Sequence, residues 1–261
     1  MQDILRLKIP CFQPEYKRWK RYGYTDVTEK ENLHKLLEDT TGGYCMYCFS
    51  RVKIDGKSHG HLEHAIEKNN SDRLRECIPD IGLACSKCNL TFKRKGEKNR
   101  KIAENDVTIF ETESKCKKDK RKQCTVACSA LRKLQKKYSE LPGAEILLQP
   151  MNVKANTGNY LQLQYDVLKM QFEPQEEEAL TEQEREFVRA HINRFHLNDP
   201  KHRTKQLLDF VRITIDSYGK IPNYEYNNLV VQLFAEQLVP KTEEERVKIC
   251  SKIYPVLVLA G

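Results

Sequence analysis

The chain has 261 residues, 39% hydrophobic and 31% charged, and its formal net charge is +8. Length and composition are typical of a globular protein of one or two domains. No run approaches the roughly 18–20 apolar residues of a membrane helix, and the start MQDILRLKIP lacks a signal-peptide core. We therefore expect no membrane association, and we expect the ten cysteines to be reduced or to bind metal. The positive charge is compatible with a polyanionic partner.

The first 24 residues carry breaks at Pro10 and Pro14, followed by basic side chains interleaved with aromatic ones from Tyr16 to Tyr22. Such a stretch can bind a phosphate backbone and stack on bases. It is equally typical of an amphipathic segment whose Trp19 packs on the core. The residues leave both interpretations open.

A helix is predicted next. Thr28 and Glu31 have the spacing of a capping box, and leucines follow at helical intervals from Leu33. The glycine pair that ends at Gly43 predicts the end of this helix, directly before the first cysteine pair.

Two Cys-x-x-Cys pairs follow, Cys45 with Cys48 and Cys85 with Cys88. Each pair can present two thiolates to one ion, and two pairs complete a tetrahedral zinc site. Such a closed site is usually structural. The thirty-six residues between the pairs exceed the roughly 15–20 residues of ordinary four-cysteine modules. The extra residues include polar side chains that could bind a second metal or act as a general base.

Those groups are Glu63 and His64, with Asn89 directly after the second pair. Glu63 is a hard oxygen ligand suited to Mg²⁺ or Mn²⁺, and Asn89 could add a carbonyl oxygen. His64 titrates near neutrality and could act as a general base. His61 would share a strand face with Glu63. Such a histidine is more often an ordinary neighbour. A lone histidine is also more often an ordinary surface residue, but the position of His64 between the cysteine pairs favours a functional role.

Local structure around these groups is also predicted. The stretch from Val52 to Ile66 should hold a two-stranded ribbon that turns at Asp55-Gly56. Leu62 and Ile66 are expected on its buried side, and a helix should begin near Asn89.

The block from Cys45 to Asn89 resembles the HNH endonuclease family, the ββα-metal nucleases that carry a four-cysteine zinc support. The resemblance implies that Glu63 and Asn89 hold a catalytic divalent metal, Mg²⁺ or Mn²⁺, and that His64 activates water. The family's middle polar residue falls at Asp80, where the family often has an asparagine that steadies the histidine loop.

A narrower resemblance rests on Glu63-His64 followed by Lys68, which looks like the EHxxPK signature of HNH effectors in Septu-type and retron-associated anti-phage systems. Glu67 stands where that signature has proline. Three later segments are similar to the same group: Glu145–Pro150, Asn159–Asp166 and Ile192–Gln206. The resemblance implies a bacterial cytoplasmic protein that works beside an AAA or SMC-like ATPase.

Residues 91–137 hold sixteen Lys or Arg against six Asp or Glu. We interpret this segment as a DNA-backbone surface beside the site, although charge runs are usually solvated faces. The predicted contacts are Lys93, Arg94, Lys95, Lys98, Arg100 and Lys101. Cys116, Cys124 and Cys128 lie in the segment without a fourth ligand nearby, which favours free thiols.

The remaining chain predicts a helix over Val126 to Tyr138, short strands at Ile146–Leu148 and Tyr160–Val167, and an acidic exposed stretch from Glu173 to Glu186. Four helices then follow. The first has a capping box at Thr181 and Glu184, and Pro255 should end the last.

The expected fold is α+β. A nuclease domain with its amino-terminal helical extension and basic segment occupies residues 1–140. A small β element and a helical domain occupy residues 141–261. The expected function is metal-dependent hydrolysis of DNA phosphodiester bonds. The alternatives are a catalytically silent, zinc-stabilised DNA-binding module and a regulatory subunit that docks on an ATPase. The oligomeric state is not predicted.

Overall fold

The structure is a computed structural model and describes residues 2–114, 124–176, 179–199 and 205–260. It is a mixed α+β protein. Part of the basic segment, residues 115–123 with Cys116, and two residues of the acidic stretch, Glu177 and Glu178, lie outside the described residues.

A three-stranded antiparallel sheet joins the amino-terminal residues to residues 163–174. After the short helix α1 (Gln2–Leu5), strand β1 (Arg6–Lys8) pairs with β6 (Leu163–Asp166), and β6 pairs with β7 (Gln171–Pro174). Alternating side chains bury one face, so that Leu7, Tyr165 and Phe172 stack across the three strands. The predicted boundary near residue 140 is therefore crossed by strand pairing.

The strand prediction around this sheet was partly wrong. Ile146–Leu148 is fully buried but pairs with no strand. Its apolar run marks burial alone, which periodicity cannot separate from strand pairing. Conversely, β7 lies at the start of the stretch predicted to be acidic and exposed.

Helix α2 (Val27–Thr41) leads into the first cysteine pair. Asp26 is its N-cap and accepts a hydrogen bond from the Glu29 backbone N–H at 2.9 Å, so the capping box predicted at Thr28 is wrong by two residues. Gly42 ends the helix as predicted, with a left-handed φ of 63° that suits glycine. Leu33 and Leu37 face the core.

Two hairpin-like pairs follow. Strands β2 (Lys53–Ile54) and β3 (Lys57–Ser58) turn at Asp55-Gly56, where both φ angles are positive, as a type I′ turn requires. The site ribbon is different from the prediction: β4 (His61–His64) pairs antiparallel with β5 (Ile81–Ala84). Its second strand thus comes after residue 80, beyond two short 3₁₀ turns.

Six further helices complete the described chain: α3 (Glu104–Glu113), α4 (Ser129–Ser139), α5 (Glu182–Arg194), α6 (Gln206–Asp216), α7 (Leu229–Leu238) and α8 (Glu243–Ala260). The capping box of α5 at Thr181 and Glu184 is present. Helix α4 starts later than predicted and leaves Val126 exposed. Helix α8 continues through Pro255, contrary to the prediction, because burial of Leu257 stabilises the turn beyond the proline.

The helical half packs directly on the first cysteine pair. The Tyr44 hydroxyl donates to the Tyr226 carbonyl at 3.0 Å, and the Leu229 N–H donates to the Phe49 carbonyl at 2.9 Å. These contacts set α7 against the loop that carries Cys45 and Cys48. Among the described helices, none combines the length and the apolar character needed to cross a bilayer.

Candidate metal centre and nuclease site

The four predicted cysteines converge on one point. The Sγ atoms of Cys45, Cys48, Cys85 and Cys88 all lie within 4.8 Å of one another. A tetrahedral Zn²⁺ with Zn–S bonds of about 2.3 Å would separate its sulfurs by about 3.8 Å. The Cys48 and Cys85 sulfurs are 3.7 Å apart. The cluster is therefore close enough together to hold a zinc ion.

Backbone N–H groups support the sulfurs, as expected for a metal cluster. The Tyr47 N–H donates to Cys45 Sγ at 3.5 Å, and the Cys88 N–H donates to Cys85 Sγ at 3.4 Å. Hydrogen bonds from the neighbouring thiols and from this N–H lower the pKa of Cys85. These contacts favour the thiolate form at Cys85, which is the form that binds metal.

The cysteine cluster is also joined to the ribbon. Cys85 follows β5 directly, and the Met46 N–H donates to the Leu83 carbonyl of β5 at 2.9 Å. Glu63 on β4 lies opposite Gly82 on β5. A Cβ on Gly82 would lie 2.7 Å from the Gln149 carbonyl oxygen, so only glycine allows this close approach. The cluster, β5 and Glu63 therefore form one rigid unit.

Glu63 is buried and engaged on both oxygens. One oxygen pairs with the Lys93 ammonium, and the other accepts a hydrogen bond of 2.5 Å from the Tyr47 hydroxyl. Burial raises the pKa of Glu63, while Lys93 and Tyr47 oppose that rise. The Lys93 ammonium also donates to the carbonyls of His64 and Ala65, so all three of its N–H bonds are used.

This arrangement does not fit the divalent cation implied for Glu63 and Asn89. Lys93 already supplies a positive charge to the buried carboxylate, and both carboxylate oxygens have partners. The cysteine cluster is the one group of three or more Cys, His, Asp or Glu side chains that could hold a metal among the described residues. A second cation would have to separate Lys93 from Glu63 first.

His64 is held in one orientation by a backbone carbonyl. Its Nε2 lies 3.1 Å from the Arg75 carbonyl oxygen, which can only accept, so Nε2 carries the proton and Nδ1 has the lone pair. Burial, with smaller effects from Lys68 and Lys93, lowers the pKa of His64 to about 4. The imidazole is therefore neutral at physiological pH. The Tyr24 ring meets it edge-on at 4.6 Å between centroids.

Asp80 holds the chain that follows His64. Its Oδ1 accepts from the Ile66 N–H at 2.9 Å, and its carbonyl accepts from the Ala65 N–H at 2.7 Å. The carboxyl is fully buried, and burial raises its pKa well above the ordinary value. Its Oδ2 has no hydrogen-bond partner in the described part of the chain.

Asn89 is the second residue of a π-helical turn, Cys88–Phe92, close to where a helix is predicted. It is half-buried and lines a cavity of about 250 Å³ together with Glu63 and His64. Lys68 and Arg94 border the same cavity. The structure thus brings together His64, Glu63 and Asn89. His61 pairs with Ala84 at the far end of the ribbon and does not line this cavity.

A second buried ion pair lies beneath the site. Glu67 Oε1 accepts from Arg100 at 2.7 Å and 3.0 Å and from the Tyr138 hydroxyl at 2.9 Å. Arg100 also donates to the Lys95 carbonyl at 3.0 Å. These contacts tie the Glu67 turn to helix α4 and to the chain after the second cysteine pair.

Burial changes the predicted DNA-contact surface. Lys93 and Arg100 are 3% and 1% exposed and face carboxylates, so neither belongs to that surface. The exposed members of the predicted set are Arg94, Lys95, Lys98 and Lys101. The Lys101 ammonium donates to the Asn69 carbonyl at 2.7 Å.

No family model, curated protein or solved structure matches this chain.

Sequence reasoning missed two tyrosines. Tyr47 lies inside the first Cys-x-x-Cys pair and binds Glu63, and Tyr24 packs on His64 from the amino-terminal segment. A tyrosine between ligands gives no signal of where its hydroxyl points. Lys93 was identified from the sequence, but as a predicted DNA contact. The structure places it in an ion pair with Glu63.

Proposed function

We propose that this protein is an HNH-type endonuclease that hydrolyses DNA phosphodiester bonds and uses His64 as the general base. The observation that carries the proposal is the orientation of His64. Its Nε2–H is bound to the Arg75 carbonyl, which leaves the Nδ1 lone pair available beside a polar cavity. A neutral, oriented imidazole is the form that can accept a proton from water.

The surrounding fold supports the same proposal. The chain order of β4, β5 and the π-helical turn at Cys88–Phe92 supports an arrangement similar to a ββα core, whose parts a zinc ion on the four cysteines would join. The departure at Asp80 is smaller than its residue type suggests. A protonated carboxyl resembles an asparagine amide in having an acceptor oxygen and a donor group, and burial of Asp80 favours the protonated form.

Cationic side chains of this chain would stabilise the negative charge of the phosphate. Lys68 and Arg94 border the cavity and can bind the non-bridging oxygens of a phosphate. A bound phosphate would also raise the pKa of His64 toward the working range, because a nearby negative charge favours the imidazolium. The resemblance implies Mg²⁺ or Mn²⁺ on Glu63 and Asn89, but the ion pair between Lys93 and Glu63 does not fit such a metal.

A role beside an ATPase in anti-phage defence rests on the resemblance of the later segments. Co-purification from the native cell with an ATPase would support this part of the proposal. Recovery of the chain alone at full cleavage activity would count against a need for the partner.

The ion pair gives specific support to a second candidate, a zinc-stabilised DNA-binding module without catalysis. In such a module Glu63 would have a structural role in its ion pair with Lys93 and would bind no catalytic metal. Supercoiled plasmid incubated with the wild type, His64→Ala and the exposed control His59→Ala separates the two. The nuclease proposal predicts cleavage by wild type and His59→Ala, and DNA binding without cleavage by His64→Ala. Binding without cleavage by all three, with Mg²⁺ or Mn²⁺ present, would favour the module.

A further inference from the structure

The amino-terminal segment carries an exposed tryptophan at the tip of a turn. The Lys20 N–H donates to the Lys17 carbonyl at 3.1 Å, which places Arg18 and Trp19 at the two central positions of the turn. Trp19 is 79% exposed. The sequence left open whether Trp19 packs on the core, and the structure excludes that interpretation.

The base of this turn is anchored. The Tyr22 ring is buried, and its hydroxyl accepts from the Lys17 N–H at 3.2 Å. The Tyr16 ring meets the Tyr22 ring edge-on at 5.3 Å. The indole is therefore presented on a fixed support, and a ligand would not need to order a loose loop before it could bind.

The surroundings of Trp19 are strongly cationic. Lys17, Arg18 and Lys20 are exposed, and no acidic residue occurs between Tyr16 and Thr25. The Lys17 ammonium lies 6.0 Å from the centre of the indole ring. An exposed aromatic face among exposed ammonium and guanidinium groups matches nucleic acid, whose bases stack while its phosphates pair with cations.

The turn is also close to the proposed active site along the chain. Tyr24, which packs on His64, follows Trp19 by five residues. A fully extended chain of five residues spans about 18 Å at most. That span equals about five stacked nucleotides at 3.4 Å each.

We propose that Trp19 stacks on an unpaired base within a few nucleotides of the scissile phosphate, while Lys17, Arg18 and Lys20 bind the flanking phosphates. The proposal rests on the proposed nuclease function and names its substrate class: DNA that exposes unpaired bases beside the cut. Bases inside an intact duplex are stacked on both faces and cannot accept the indole.

The test uses Trp19 as its own reporter, because it is the only tryptophan in the chain. Zinc-loaded His64→Ala protein is titrated in metal-free buffer with a 20-nucleotide oligothymidylate and, separately, with a blunt 20-base-pair duplex. Quenching of the indole fluorescence is recorded at low and at moderate salt. Affinities for labelled oligonucleotide are then measured by anisotropy for Trp19→Ala in the same background.

The matched control is Tyr218→Asn, which removes an aromatic side chain that is 83% exposed at a position with φ of 56°, where asparagine is tolerated. The proposal predicts strong quenching by the oligothymidylate and weak quenching by the duplex. Trp19→Ala should lose between about fivefold and 150-fold in single-strand affinity, the range for one stacked base, while Tyr218→Asn should lose none.

Equal affinity of Trp19→Ala and its parent for the oligothymidylate would overturn the proposal. So would a failure of the protein to bind either probe, or a loss of duplex affinity in Trp19→Ala equal to its loss of single-strand affinity. Because none of these readouts requires cleavage, the two proposals fail separately. Plasmid cleavage by wild type without indole quenching would remove only the stacking site. Quenching without cleavage would keep the stacking site and remove the nuclease.

Discussion

Lys93 neutralises Glu63 inside the protein, at the carboxylate that the family resemblance assigns to a catalytic metal. The ammonium and carboxylate are both almost fully buried, and the same ammonium binds the carbonyls of His64 and Ala65. Lys93 therefore holds together the end of β4 that carries both candidate catalytic groups. The relationship makes predictions about stability and about metal binding.

The first prediction concerns stability. Lys93→Met should lower the free energy of unfolding of the zinc-loaded protein by about 3 kcal/mol or more, because it leaves a buried carboxylate without its partner. Lys95→Met, at an exposed position two residues later, should change it by less than about 0.5 kcal/mol. Urea unfolding measures both. Adding Glu63→Gln to Lys93→Met should restore part of the loss, and equal stability of the two lysine variants would contradict the account.

The second prediction concerns the cation itself. If Lys93 excludes a divalent ion from Glu63, then Lys93→Met should bind Mn²⁺ about tenfold more tightly than the wild type, a difference of about 1.4 kcal/mol. Bound Mn²⁺ should also raise the unfolding temperature of the variant more than that of the wild type. Calorimetric titration measures the affinity. The gain should vanish in the double variant with Glu63→Gln, and its persistence there would place the ion elsewhere.

Local signals predicted the parts of this molecule that depend on neighbours in sequence. The spacing of the cysteine pairs predicted the cysteine cluster, and Asp55-Gly56 predicted the turn between β2 and β3. Thr181 and Glu184 predicted the N-terminal cap of α5. Each of these features is set within a few residues, where backbone geometry leaves little choice.

Features set by distant packing could not be predicted in this way. The partner of β4 begins seventeen residues after β4 ends, and no local pattern fixes that register. Arg100 was predicted to contact DNA, because only the folded chain shows that it is buried together with Glu67 and Tyr138. Pro255 reads as a helix end, but packing at Leu257 outweighs its lost hydrogen bond.

The third prediction concerns zinc. Elemental analysis should find about one zinc per chain. Cys85→Ser should lose the metal and, with it, the pairing of β4 with β5, because the cluster fixes the loop that leads to β5. Cys124→Ser should keep the metal, since Cys124 lies outside the cluster. Full zinc content in Cys85→Ser, or none in the wild type, would contradict the four-cysteine assignment.

The fourth prediction is a pH dependence set by His191. This histidine is buried among Tyr47, Phe195 and the neighbouring Arg194, and its Nδ1 accepts from the Leu147 N–H at 3.1 Å. Burial, with a smaller effect of Arg194, lowers the pKa of His191 to about 3. The unfolded chain takes up a proton below about pH 6.5 while the folded chain does not, so stability falls as the pH drops from 6.5 toward 3.

This pH dependence should be visible before acid releases zinc. Between pH 7 and pH 5 the wild type should lose about 2 kcal/mol through His191. His191→Asn, whose amide oxygen can still accept from Leu147, should be less stable at pH 7 but should lose less over the same interval. Urea unfolding at the two pH values measures the difference, and parallel losses in both proteins would exclude His191 as the cause.

The most direct test of the central claim is chemical rescue of His64. Single-turnover cleavage of supercoiled plasmid is measured for wild type and His64→Gly, each with and without added imidazole. If the His64 imidazole is the base, His64→Gly should cleave about 10²- to 10⁴-fold more slowly, and imidazole should restore part of the rate only in that variant. Wild-type cleavage that is unchanged in His64→Gly, or no cleavage by any form, would contradict the account.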